Sequence, residues 1–184
     1  TSADITILRE RYPHIPMIGI EPALKPAVLS KSNPRVLVMG TSMTIRQEKF
    51  QKLLKIYEKQ ASIYLLPCPG LVEFIERGEL TGKALYEFLG DLLAPYADHA
   101  LDSVVLGCTH YPFVADTIRR ILGREVAVFE GGPGTARETR RRLRQMGMLN
   151  PSEKEGVVRF ENSLNIPEKI RLCRMLLDSK KNVK

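Results

Sequence analysis

Short apolar runs rich in β-branched residues alternate along this chain with stretches whose apolar residues recur at helical spacing, and that alternation leaves few folds open. Residues 15–20, 35–39, 62–66, 103–106 and 126–129 are runs of this kind, and each predicts a strand. Between them, Phe50, Leu53, Leu54 and Tyr57 predict a helix over residues 45–57. Leu85, Phe88, Leu89, Leu92 and Leu93 predict a second, and Val114, Ile118, Ile121 and Leu122 a third. Strands that alternate with helices pair in parallel, because each crossover helix returns the chain to the same end of the sheet. The expected fold is therefore α/β, a parallel sheet with helices on both faces in three layers. Ligands of such sheets bind where loops leave the carboxyl ends of the strands. The residues to inspect are Glu21-Pro22, Gly40-Thr41, Pro67-Cys68 and Gly107-Cys108-Thr109-His110.

The pattern changes after residue 129. Glu130-Gly131-Gly132-Pro133-Gly134 reads as a turn, followed by an Arg-rich helix to about residue 146. A strand near residues 157–160 and a helix over 167–177 close the chain, and residues 1–12 read as one more helix. One strand and two helices are too little for an independent core. The expected organisation is a complete α/β domain over 21–129. Residues 1–20 link into it from a second, incomplete α/β domain, whose C-terminal part is 130–184. The chain opens on Thr1 rather than Met, so the expectation is a processed or cut piece of something longer.

With 43% hydrophobic and 27% charged residues the chain is expected to be soluble. It has no apolar run near the roughly 18–20 residues that span a bilayer, so no membrane partner is expected. Residues 1–11 mix Asp4, Arg9, Glu10 and Arg11 with apolar positions, unlike a signal peptide. Three cysteines, Cys68, Cys108 and Cys173, form no CxxC and are odd in number, which suits a reducing cytoplasm better than a disulfide framework. No metal is expected, since no Cys/His ligand spacing appears. The net charge of +7 gathers at Arg137, Arg140, Arg141, Arg142 and Arg144, and at Lys180, Lys181 and Lys184. Without interleaved aromatics or a helix-turn-helix pattern these read as a solvated helix face and a tail, and nucleic acid is not the expected partner.

The strongest chemical signal is Val104-Val105-Leu106-Gly107-Cys108-Thr109-His110-Tyr111-Pro112. An apolar strand ends, glycine permits a tight approach, and a thiol, a hydroxyl and an imidazole arrive together. Pro112 suits the first turn of a helix. A thiol ahead of a helix N-terminus feels the positive end of its dipole, which favours thiolate. His110 can share a proton with a neighbour. Thr109 and nearby N–H groups can hold a carboxylate. Spacing alone is served equally well by a small buried cysteine beside a core histidine. Cys68 and Cys173 lack polar company and read as structural. Glu73 and Glu76, three apart on a short helix after Pro69, share one face, either as solvated charges or as acids of a site. Thr41, Ser42 and Thr44 form a hydroxyl-rich turn that caps a helix or binds a small anion. Glu21 reads as a charge at a helix N-terminus. The glycines at 131–134 lack the Lys-Ser/Thr of a phosphate loop.

Taken together, these segments resemble the cofactor-independent glutamate racemases of the Asp/Glu racemase family. Gly107-Cys108-Thr109-His110-Tyr111-Pro112 is similar to their second catalytic-cysteine signature. Residues 18–27, Ile-Gly-Ile-Glu-Pro-Ala-Leu-Lys-Pro-Ala, resemble another family segment, and Cys68-Pro69-Gly70-Leu71-Val72 with Ile75-Glu76 and Gly78 a third. Gly132, Gly134, Thr135 and Ala136 match the glycine turn before a late helix, whereas Gly40 stands where alanine is more usual.

The resemblance implies an isomerase needing no cofactor. Cys108, His110 and Glu76 would be its catalytic residues on one face of the substrate. Thr109, His110, Thr41 and Thr44 would line the pocket for L- or D-glutamate. It implies a cytoplasmic enzyme, with a homodimer as a further expectation, that supplies D-glutamate for peptidoglycan. It also implies a first cysteine in an Ala-Cys-Asn-Thr-Ala segment. Thr1-Ser2-Ala3 resembles the residues immediately after that segment, so the chain by itself is expected to lack one of two thiols and to be inactive. A non-catalytic carboxylate-binding module and a related aspartate racemase are the alternatives.

Overall fold

Five successive residues of one strand, Val36 to Gly40, are buried, as happens only when a strand is covered on both faces. Around it the computed structural model describes residues 4–164 and 166–181. In chain order these form α1 (Asp4–Arg11), α2 (Leu24–Val28), β1 (Arg35–Gly40), α3 (Ser42–Arg46), α4 (Glu48–Tyr57) and β2 (Ser62–Pro67). Next come α5 (Leu71–Glu76), α6 (Lys83–Leu93), a 3-10 turn (Ala94–His99) and β3 (Ser103–Leu106). A second 3-10 turn (Tyr111–Val114) leads into α7 (Ala115–Leu122), β4 (Ala127–Glu130), α8 (Gly132–Gln145) and α9 (Pro167–Lys181).

The sheet is four-stranded and parallel, in the order β2-β1-β3-β4. Val38 pairs with Leu65 on one side and Val105 on the other. Side chains alternate across a strand, so β1 feeds two cores. Leu37 and Met39 join Leu71, Ile75, Leu85, Leu89, Leu93, Tyr111 and Ile118 beneath α5, α6 and α7. Val36 and Val38 join Leu24, Val28, Phe50 and Tyr57 beneath α2 and α4. Asp102 fastens the amino ends of β1 and β3. Its carboxylate accepts from Arg35 N at 2.8 Å and from Lys31 Nζ at 2.6 Å. The Arg35 amide and the Lys31 ammonium hold its pKa down at about 2.

The α/β expectation holds, and the structure corrects it in detail. Residues 15–20 form no strand. Pro16 has no N–H to give a ladder, and Ile15 and Ile20 are exposed. Residues 157–160 are likewise irregular, with Val157 95% exposed. No described strand lies alongside either run, and apolar residues without a ladder partner do not make a strand. The helix expected over 45–57 is two helices, because Gln47 is extended (φ −62°, ψ 130°). Gln51 Nε2 donates to Ile45 O at 2.7 Å, filling an acceptor that a continuous helix would have used. The glycine stretch after Glu130 is the start of α8, with Pro133 in its first turn, rather than a separate turn. Glycine is needed at Gly131, where a Cβ would lie 2.7 Å from Glu21 O. On α8, Arg141 and Arg142 are ion-paired with Glu138. Thr1 to Ala3, the side chains of Lys180 and Lys181, and Lys184 lie outside the described residues.

Candidate active site

The order β2-β1-β3-β4 places a topological switch point between β1 and β3, whose following loops diverge to opposite faces of the sheet and leave a crevice. Thr41 leaves β1 and Cys108 leaves β3 beside one another, since Met39 pairs with Leu106. Gly107 makes the closest approach there. Its N–H donates to Met39 O at 2.7 Å, and a Cβ would sit 2.8 Å from that same oxygen. Only a residue without a side chain brings the Cys108 loop this close to β1.

Beyond Cys108 the chain turns at once. Tyr111 N donates to Cys108 O at 3.2 Å, and Tyr111 is fully buried, its hydroxyl donating to Cys68 O at 3.4 Å. Burial raises the phenol's pKa. The anchored ring pins the chain directly after Cys108 and His110. The element after them is a single 3-10 turn before α7, not the α-helix N-terminus expected from Pro112.

Cys108 Sγ lies 3.8 Å from His110 Nδ1, and both residues are partly exposed. His110 Nε2 lies 2.9 Å from Glu76 Oε1, and Lys169 Nζ donates to Glu76 Oε2 at 2.5 Å. Thiol, imidazole, carboxylate and ammonium thus form one connected row. The Lys169 ammonium, then His110, holds the Glu76 carboxyl below the usual carboxylate range. An ionised carboxylate only accepts hydrogen bonds. The hydrogen between Glu76 and His110 therefore resides on Nε2, and in the neutral ring Nδ1 presents a lone pair to the thiol. This geometry lets a proton pass between Sγ and Nδ1 while the carboxylate steadies the imidazolium that results.

Glu76 rather than Glu73 faces this row; Glu73 is exposed. Thr41 caps α3, accepting from Thr44 N at 3.1 Å, and the two hydroxyls lie 2.9 Å apart. Thr109 is exposed at the tip of the loop. Glu21 pairs with Lys49 instead. Cys68 is buried, donates to Leu66 O at 3.3 Å, and burial pushes its pKa up to about 12. Cys173 is half-buried on α9. Sequence reasoning missed Lys169, which reaches Glu76 from 93 positions away. It sits on α9, whose Met175 and Leu172 close over Gly78, where a Cβ would lie 3.0 Å from Met175 Cε. Leu176 of α9 packs on the core beneath α5. Among the described residues no group of three or more His, Cys, Asp or Glu could hold a metal ion, and no helix is long and apolar enough to cross a membrane.

The α/β fold is that of the Asp/Glu-type racemases. The model of the Asp/Glu/Hydantoin racemase family matches residues 5–139, and the chain belongs to that family. It is thus an isomerase, an amino-acid racemase. Within the family its relatives include glutamate racemases. That of Clostridium perfringens is 47% identical over 180 residues, which are 98% of this chain and 69% of the relative. That of Clostridium acetobutylicum is 43% identical over 178 residues, 97% of this chain and 69% of the relative. Among solved structures, Escherichia coli glutamate racemase in complex with L-glutamate superposes with a TM-score of 0.78 at 23% identity, covering 97% of this chain and 67% of that one.

Proposed function

We propose that this chain supplies one proton-transfer face of a glutamate racemase that works without cofactor, with Cys108 as its acid and base. The observation that carries the reading is the row from Cys108 through His110 to Glu76 at the switch point of the sheet. The 47% identity to a glutamate racemase adds the substrate.

The α-proton of glutamate is a very weak acid. Its removal needs a base on one face, an acid on the other, and electrostatic relief of the carbanion between them. Cys108 as thiolate takes the proton in one direction and, as thiol, returns it in the other. His110 Nδ1 accepts or restores the sulfur's own proton, and Glu76 orients the ring. Thr109, Thr41 and Thr44 offer hydroxyls to the substrate's carboxylate and ammonium groups, with the His110 ring beside them. Residues 21–129 form the complete domain of this face, with 1–20 and 130–184 belonging to its partner domain. D-Glutamate for peptidoglycan is the product, the cytoplasm its place, and a homodimer its assembly.

The opposite face requires a second thiol. Cys68 is buried and held neutral, and Cys173 is half-buried on α9 with no part in the row. The 184 residues alone are therefore expected not to racemise. The test adds the preceding segment of the Clostridium perfringens relative, of which this chain spans 69%. Circular dichroism of D-glutamate should decay with the joined protein and stay constant with its Cys108→Ser variant or with the 184 residues alone. Decay that persists in Cys108→Ser would remove Cys108 from the mechanism. Decay with the shorter chain that stops in Cys108→Ser would overturn the need for a second thiol.

A further inference from the structure

We propose that Lys169 is a positioning residue of this site: it holds the Glu76 carboxylate ionised and turned toward His110, and so leaves the lone pair of His110 on Nδ1, facing the sulfur. The inference rests on the reading of Cys108 as acid and base, and it adds what gives the imidazole its direction.

The two oxygens of Glu76 are divided between two partners. Oε2 takes Lys169 Nζ at 2.5 Å, and Oε1 takes His110 Nε2 at 2.9 Å. Two contacts in different directions fix the plane of the carboxylate, where one would leave it free to rotate. The Glu76 side chain is 40% exposed, so without a second partner it could turn to water. Lys169 is held more firmly, at 29% exposure, on a helix that packs over Gly78 and the core beneath α5.

Charge matters as much as direction. A protonated Glu76 could donate to Nε2, and the neutral ring would then carry its hydrogen on Nδ1, pointing N–H at the thiol. In that tautomer His110 cannot accept the proton of Sγ. The ammonium of Lys169 is the largest influence keeping Glu76 ionised, with His110 second. When Sγ–H gives its proton to Nδ1, thiolate and imidazolium form while carboxylate and ammonium remain. The row carries no net charge before or after, and no proton leaves it.

The test needs no turnover. Ring-nitrogen NMR of His110 and carboxyl-carbon NMR of Glu76 are recorded on the chain, on Lys169→Met, Lys169→Arg and Glu76→Leu. Native histidine should be mainly the Nε2–H tautomer. Lys169→Met should raise the Glu76 titration midpoint, as losing an adjacent opposite charge does, and should lower the Nε2–H fraction. Lys169→Arg should restore both. A helix that merely stayed folded would show neither change, and unaltered backbone shifts outside α5 and α9 confirm folding. If Glu76→Leu alters the His110 tautomer and Lys169→Met moves neither signal, Lys169 has no positioning role. If Glu76→Leu, which removes the acceptor altogether, leaves the His110 tautomer unaltered, the carboxylate does not orient the ring, and this inference goes with it.

Discussion

Replacing Gly107 by alanine should destabilise the protein and loosen the Cys108 loop together, because one contact governs both. A Cβ at this position meets Met39 O at 2.8 Å, well inside the 3.4 Å at which ordinary contact begins, and the obstacle is backbone rather than a flexible side chain. The same oxygen accepts the Gly107 N–H at 2.7 Å. Relieving the overlap lengthens or breaks that bond. Overpacking costs about 1–3 kcal/mol, and the lost hydrogen bond about 1 kcal/mol. Alanine also stiffens the unfolded chain, which returns about 0.5 kcal/mol where the backbone angles suit it. The net loss is roughly 1.5–3.5 kcal/mol, large beside the typical 5–15 kcal/mol of a folded domain. Urea unfolding followed by far-UV circular dichroism should show the midpoint falling by about 1 M, with the slope unchanged. A loss below about 0.5 kcal/mol, the range of an ordinary surface substitution, would show that the end of β3 has room to spare. The account of how the Cys108 loop is placed would then be refuted.

Asp102→Asn should cost about 1–2 kcal/mol at neutral pH, since the native carboxyl, with a pKa of about 2, binds protons more weakly than in the unfolded chain. This stabilisation is complete above the ordinary aspartate value near ~4 and is lost as pH falls through about 2. Thermal melts of native and variant protein should therefore converge toward pH 2, and a gap that stays constant would refute the assignment. Iodoacetamide at pH 8 should label Cys108 and spare Cys68 in the folded protein, with both labelled in urea, because the Cys68 thiol is buried and its pKa raised to about 12. Peptide mass spectrometry reads this directly, and early native labelling of Cys68 would contradict its burial. Ile118→Ala, at a fully buried position under the sheet, should cost about 2–5 kcal/mol in the same urea assay.

How much of this was legible in the sequence depends on how local each cause is. Strands β1 and β3 declare themselves because a strand covered on both faces needs an unbroken apolar run; β2, at the sheet edge with only Leu66 buried, still carries such a run, and β4 is displaced by only one residue from the expected span. Residues 15–20 and 157–160 carry the same composition and form no strand. Pairing is a property of a neighbour, which local composition does not contain. Gln47 interrupts a helix whose apolar period runs straight through it, since the Gln51 side chain that rewards the break is invisible to periodicity. In the site, Cys108 and His110 are neighbours in sequence and were legible from it. Glu76 emerged from a family resemblance rather than from its spacing. Lys169 left no trace, being one lysine on a charged helix, and only the packing of α9 over Gly78, just past α5, singles it out.

Gly78 gives that packing its meaning. It is the spot where α9 rests on the end of α5, with the methyl of Met175 in the space a side chain would fill. A missing methyl group at the rim thus sets how near the last helix can lean, and with it how far an ammonium must reach to touch a carboxylate. Under the role proposed for Lys169, the proton relay at the thiol is tuned from a glycine that is no part of the row.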